Sequence, residues 1–185
     1  VAKKRAVDQF AGARLPLPTP WRPSAPSEMA KFGAPPYAPG VTNDAEAVES
    51  IEGSSAVLLT CEHASERVPS GFRWPEADAW LRGTHWAFDL GAAALCRELA
   101  ASLAAPALLS RFSRLLVDPN RPEDSDTLFR DTAEGRPVHM NRDIDASERR
   151  RRLERLYRPY HRAVAGAMPG KAFAFSVHSF TPLYE

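Results

Sequence analysis

The sequence predicts an α/β layer fold, a mainly parallel sheet flanked by helices, occupying the chain from about Ala56 onward. Three observations predict it. Two apolar runs of strand length, Ala56–Cys61 (AVLLTC) and Ala172–His178 (AFAFSVH), are continuous, as strands buried on both faces are. Two longer segments between them carry helical periodicity. The two kinds of segment alternate in the order β-α-β-α-β, which is that of a layered fold.

Taken in order, Ala56–Cys61 reads as a buried parallel strand. Phe88–Ala105 is rich in Ala and Leu and reads as a helix, in which Leu95, Leu99 and Leu103 recur every four residues and predict one buried stripe. Two short apolar runs follow, Ala107–Ser110 and Leu115–Asp118. The stretch from Pro119 to Ile144 has no regular pattern, and loops of that length inside a domain tend to be lids or binding segments. Asp145–Met168 is the clearest helix, with Leu153, Leu156, Tyr157, Tyr160, Val164 and Met168 on one face. Asp145 or Ser147 caps its start, and Pro159 is expected to kink or break it. Ala172–His178 is a last buried strand.

Residues 1–55 differ. Of the 17 prolines, eight fall between Pro16 and Pro39. Proline lacks an N–H and pushes its predecessor toward an extended backbone, so this stretch cannot build a hydrogen-bonded ladder. It also carries Phe10, Leu15, Trp21, Met29, Phe32 and Tyr37, for which a merely solvated tail has no use. An extended strap with aromatic anchors, lying along its own domain or another chain, is the expectation. The start at Val1, with Lys3, Lys4 and Arg5 behind it, is compatible with a processed precursor. A soluble intracellular protein of the cytoplasm or the mitochondrial matrix is expected.

Composition excludes other classes. The 185 residues carry 24 Lys and Arg against 23 Asp and Glu, too little excess charge for a dedicated nucleic-acid binder. No apolar run reaches the roughly 18–20 residues that span a bilayer. Cys61 and Cys96 lack metal-knuckle spacing and read as buried small hydrophobes.

Ligands of parallel sheets collect at the carboxyl ends of the strands. That rule points to Glu62–Glu66, Asp118–Arg121 and His178–Thr181. His63-x-x-Glu66 after one strand and His178 ending another offer two imidazoles and a carboxylate, a ligand set for catalytic zinc with a fourth position open. The competing reading is two strand-end histidines hydrogen-bonded to their neighbours. Asp89 opens the first helix, as a favourable charge at its N-terminus, as a ligand, or as an acceptor for a metal-bound histidine. Arg114, Asn120 and Arg121 surround Asp118, and arginine suits a substrate carboxylate. The run Arg149–Arg152 reads as the wet face of the long helix. His161 reads as either a pocket or a packing residue.

These residues resemble a known family. Leu58–Pro69 (LLTCEHASERVP) is similar to the first block of the N-formylglutamate amidohydrolases. His85–Ala92 (HWAFDLGA) resembles the second, Ser113–Arg121 (SRLLVDPNR) the third, Pro159-Tyr160-His161 the fourth and His178–Pro182 the fifth. The resemblance implies a zinc-peptidase-like α/β fold and metal-assisted hydrolysis of the amide of a small N-formyl or N-acyl amino acid. It places zinc or another divalent metal near His63 and His178, with Glu66 or Asp89 as third ligand. It makes Glu62 and Asp89 catalytic candidates, Glu62 as proton shuttle, and Arg114, Asn120 and Arg121 substrate-binding candidates. Where this chain has Glu66, the family block usually has Asn. Similar enzymes continue beyond the fifth block with further strands and helices, so a sheet that stops there is expected to leave an edge open. Two functions follow as expectations. One is the amidohydrolase. The other is a retired, metal-free member serving as accessory subunit of a larger, perhaps mitochondrial, complex, bound to other protein subunits through residues 1–55 and the open edge.

Overall fold

The computed structural model of the chain describes residues 44–180. Residues 1–43, and with them most of the expected strap, lie outside the described residues, as do residues 181–185. The sheet has four strands in the order β1-β3-β2-β6. The continuous apolar run becomes β2 (Val57–Cys61), flanked in parallel by β3 (Ala107–Ser110) and β6 (Phe173–Ser176). An antiparallel strand, β1 (Val48–Ile51), pairs on the outer side of β3. It follows a single helical turn, α1 (Asp44–Ala47). Residues 44–51 fall within the stretch read as leader, and of these Val48–Ile51 join the sheet. Val48 and Ile51 pair with the ends of β3, and four residues are too few to announce a strand by periodicity.

The helix α2 (Ala92–Leu103) lies on one side of the sheet. Its buried residues are Ala92, Cys96 and Ala100, packed with Leu59, Cys61, Leu109 and Val177. Of the predicted leucine stripe, Leu99 packs against this cluster, whereas Leu95 is 51% and Leu103 52% exposed. Small side chains at four-residue spacing let the helix sit close on the sheet, and closeness decides the face here over bulk. Both cysteines are buried as expected, and burial pushes their thiols up to about 12 for Cys61 and about 11 for Cys96.

The other side is covered by the long C-terminal helical segment, α3 (Ala146–Arg152) and α4 (Arg158–Ala167), joined by a π-helical turn at Leu153–Tyr157. Asp145 caps it, its carboxylate accepting from Glu148 N at 2.7 Å. Of the kink or break expected at Pro159, the break does not occur. The π turn just ahead of it widens the hydrogen-bond pattern where proline removes a donor, so the helix runs on. Leu156, Tyr157 and Tyr160 are buried as predicted, with Leu153, Val164 and Met168 packed beside them.

Two further expectations are corrected. Leu115–Asp118 is buried but is no strand. Side chains satisfy its backbone instead: Asn141 Nδ2 donates to Leu115 O at 2.7 Å and Arg152 Nη1 to Leu116 O at 3.0 Å. Ala172–His178 does supply β6, but all four strand residues are exposed, because β6 is the last strand of the described sheet. The irregular segment 119–144 contains a minimal hairpin, β4 (Thr132–Ala133) with β5 (Arg136–Pro137).

In the arginine run, Arg149 and Arg150 are solvated as predicted, whereas Arg152 is buried. Its guanidinium donates to Glu148, Leu116 O, Asn141 Oδ1 and Met140 O. It thereby joins the helix to the segment that carries Asp118. Removing a buried charge that satisfies several acceptors costs about 3–5 kcal/mol. Arg152→Met should lower stability to urea by about that much, whereas Arg150→Met should change it by no more than about 0.5 kcal/mol. Equal effects of the two would contradict this role for Arg152.

Candidate functional site

The site follows from the sheet. β2 and β6 are parallel neighbours, and Val177 N donates to Thr60 O at 2.8 Å, so the residues leaving both strands emerge side by side. They are Glu62 and His63 from β2 and His178 from β6, the two imidazoles 5.0 Å apart between ring centres. The loop ahead of α2 is drawn in by a bond from Asp89 N to His63 O at 2.9 Å. Gly91, at φ 80°, then turns the chain into the helix, a conformation that favours glycine. Asp118 arrives from the buried turn described above.

Ligand atoms of His63, Asp89 and His178 all lie within 4.8 Å of one another. Nδ1 of His178 is 2.9 Å from Asp89 Oδ2, and Nδ1 of His63 is 3.4 Å from Asp89 Oδ1. Each ring is backed on its far side by a second carboxylate. His63 Nε2 is 2.7 Å from Asp118 Oδ1, and His178 Nε2 is 3.3 Å from Glu62 Oε2 and 3.0 Å from Ser176 Oγ. With Nε2 of His63 held by Asp118, Nδ1 on the opposite side of the ring faces Asp89. That nitrogen is buried and has no hydrogen-bond partner. A buried imidazole nitrogen and a carboxylate oxygen that face each other without a hydrogen bond leave a place for a cation, a proton or a metal ion, between them. Two imidazoles with outer carboxylates and one inner carboxylate fit a divalent metal of the zinc type.

Of the predicted ligands, the structure brings His63 and His178 together with Asp89, one of the two candidates for third ligand. Glu66 is not with them: its carboxylate accepts from Gly83 N at 2.6 Å. After His63 the chain is irregular, so a residue three positions on has no reason to share its face, as it would in a helix. Arg114 is largely taken up by carboxylates, its guanidinium 2.9 Å from Asp118 and 3.6 Å from Asp89. Arg121 is freer, its side chain 45% exposed and 4.0 Å from Asp118. Asn120 lies beside it, its backbone N–H donating to Asp118. Arg121, Asn120 and His85 share with the cluster a cavity of about 320 Å³.

Glu62 is fully engaged. Tyr160 donates to one oxygen at 3.2 Å, and Ser176 donates to the other, which also faces His178. Sequence reasoning assigned no role to Asp118, Ser176, Tyr160 or His85. Ser176 had a signal, because strand side chains two apart share a face and Ser176 precedes His178 by two. So did Tyr160, since a tyrosine on a core-facing stripe needs a partner for its hydroxyl.

The charges reinforce one another. The hydrogen bond to Asp89, and then that to Glu62, raises the pKa of His178 to about 9 against the opposing effect of burial. Burial tends to raise Glu62, but hydrogen bonds from His178 and Ser176 outweigh it and hold it at about 2. Asp89 and Asp118 are likewise held below the usual carboxylate range, burial being outweighed by the histidines.

The fold and site define an α/β protein with a histidine–carboxylate cluster at the carboxyl ends of adjoining parallel strands. Residues 55–185 match the N-formylglutamate amidohydrolases, and the chain belongs to that family. A crystal structure of a gene product from Agrobacterium tumefaciens is similar, with 34% identity and a TM-score of 0.70 over 76% of this chain and 59% of that one. N-formylglutamate amidohydrolase from Ralstonia eutropha JMP134 shares the fold at 22% identity, with a TM-score of 0.61 over 73% of this chain and 57% of that one. The chain thus spans under two thirds of the length of either. No curated protein matches significantly. Among the described residues, no helix is long and apolar enough to cross a membrane.

In the metal-free state His178 is the cation of the cluster. A raised histidine pKa contributes stability that is complete below the unfolded value near 6.5 and is lost as pH rises through about 9. The stability difference between the wild-type chain and His178→Gln in excess chelator should therefore be largest below pH 6.5 and shrink toward pH 9. A difference that grows with pH would contradict the arrangement.

Proposed function

We propose that the chain is a metal-dependent amidohydrolase that cleaves the amide of a small N-formyl or N-acyl amino acid. Family membership supports hydrolysis of this class. The observation that carries the metal is the buried, unpartnered Nδ1 of His63, aimed at Asp89 and His178. These three residues would hold zinc. When bound there, zinc polarises the amide carbonyl and activates water, as in zinc peptidases.

The rest of the site supports that centre. Asp118 fixes the ring of His63, and Glu62 with Ser176 fixes that of His178. With both oxygens engaged, Glu62 acts as a positioning residue rather than the proton shuttle. Arg114 ties Asp118 to Asp89 and balances their charge. Arg121 grips the substrate carboxylate, since its guanidinium is exposed to the cavity and only loosely paired. His85, on the same wall, supplies an imidazole for proton transfer to the departing amine.

One observation favours the accessory-subunit reading. β6 is the open edge of the described sheet, with Phe173 and Phe175 about half exposed on it. By the register with β2 they face the side that carries α2 and its exposed leucines. An apolar edge of this kind invites pairing with a further strand, whichever chain supplies it.

Zinc uptake separates the two readings. The amidohydrolase reading predicts one zinc per chain by elemental analysis, lost in His63→Ala, Asp89→Ala and His178→Ala and kept in Glu66→Gln. It also predicts formate release from N-formylglutamate by the loaded protein, with Arg121→Ala raising KM at least about tenfold. A folded chain that takes up no zinc would overturn it in favour of the accessory reading.

A further inference from the structure

A second chamber, a groove of about 310 Å³ broadly open to solvent, adjoins the cluster cavity. The two share Asn120 and Arg121, and Glu62 forms the wall between them. On one side Glu62 accepts from Tyr160; on the other it faces His178. A group attached to a molecule held at the cluster therefore has only a short reach into this space.

The walls define what fits. They are Pro119, Pro122, Tyr157, Tyr160, His161 and Val164. Both tyrosine hydroxyls are occupied, Tyr157 donating to Arg121 O at 2.7 Å and Tyr160 to Glu62. The chamber thus meets their ring surfaces rather than their polar ends. His161 adds another ring, 4.2 Å from that of Tyr157 and edge-on to Tyr160 at 5.7 Å. Proline rings, a valine and three aromatic rings make an apolar lining, and aromatic rings favour offset or edge contacts with another ring. The carboxylate in the wall disfavours an anionic occupant.

Arg121 orients the molecule. With the amino-acid carboxylate on Arg121, at the boundary, the α-carbon lies between the two spaces. The acyl carbonyl then turns toward His63, Asp89 and His178, and the side chain toward Tyr157 and His161. We propose that this chamber seats the amino-acid side chain of the substrate and selects an apolar, preferably aromatic one. The inference rests on the amidohydrolase reading and narrows its substrate class from small N-acyl amino acids to those with apolar side chains.

The test is calorimetric binding to the zinc-loaded full chain, using N-formylphenylalanine, N-formylglycine, N-formylglutamate and N-benzoylglycine. N-formylphenylalanine should bind at least about tenfold tighter than N-formylglycine. Val164→Trp, which fills the chamber, should remove that gain, and His161→Ala, which strips a wall, should reduce it. Thermal melting checks that each variant is folded. The inference is overturned if no probe binds, if the gain is absent or survives both folded variants, or if N-benzoylglycine or N-formylglutamate carries it instead. Repeating the titrations without zinc separates the two claims. A chain that takes up no zinc yet keeps a Val164→Trp-sensitive preference for the phenyl group upholds the chamber and removes the hydrolase. Zinc uptake without any such preference does the reverse.

Discussion

The arrangement depends on how the imidazole of His63 is oriented. Its Nε2 is held by Asp118 at 2.7 Å, and this turns Nδ1 inward, buried and without a partner, toward Asp89 and His178. Parallel pairing of β2 with β6 sets the second histidine next to the first, with Glu62 and Ser176 behind it as Asp118 stands behind His63. Outer carboxylates of this kind fix ring orientation and raise ligand basicity. Without Asp118 the buried ring of His63 would lose the hydrogen bond that fixes which nitrogen faces the cluster.

Supporting parts of the fold converge on that requirement. Asp118 stands at the end of a turn that belongs to no strand, so it needs other anchors. Arg152 and Asn141 supply them by binding the carbonyls of Leu116 and Leu115 from the helical segment and the irregular loop. Asp78 adds a further tie, accepting from the backbone N–H groups of His139 and Met140. A buried arginine far from the cavity thus acts on the site through the backbone. The π turn before Pro159 keeps the helix continuous, which leaves Arg152 on one side of it and Tyr160 on the other, one directed to the Asp118 segment and the other to Glu62.

Much of this was legible in the sequence, for physical reasons that differ by element. β2 was readable because a central parallel strand is apolar on both faces. The long helix was readable because it packs large side chains at helical spacing. On α2 the leucine spacing points to a face of which only Leu99 touches the core, because the close contact belongs to Ala92, Cys96 and Ala100. At the site, strand ends pointed to His63 and His178, while Asp89 and Glu66 were equal candidates as third ligand. Only the irregular backbone after His63 separates them, and nothing in the local sequence declares it. Asp118 was visible as a polar residue without a role, because its partner lies 55 positions away.

The central claim is that His63, Asp89 and His178 form one metal site through two imidazole nitrogens and a carboxylate oxygen. X-ray absorption at the zinc edge of the loaded protein tests it most directly. The account predicts a first shell of nitrogen and oxygen at about 2.0–2.1 Å with the multiple-scattering signature of two imidazoles. A shell with sulfur near about 2.3 Å, or with one imidazole or none, would contradict it.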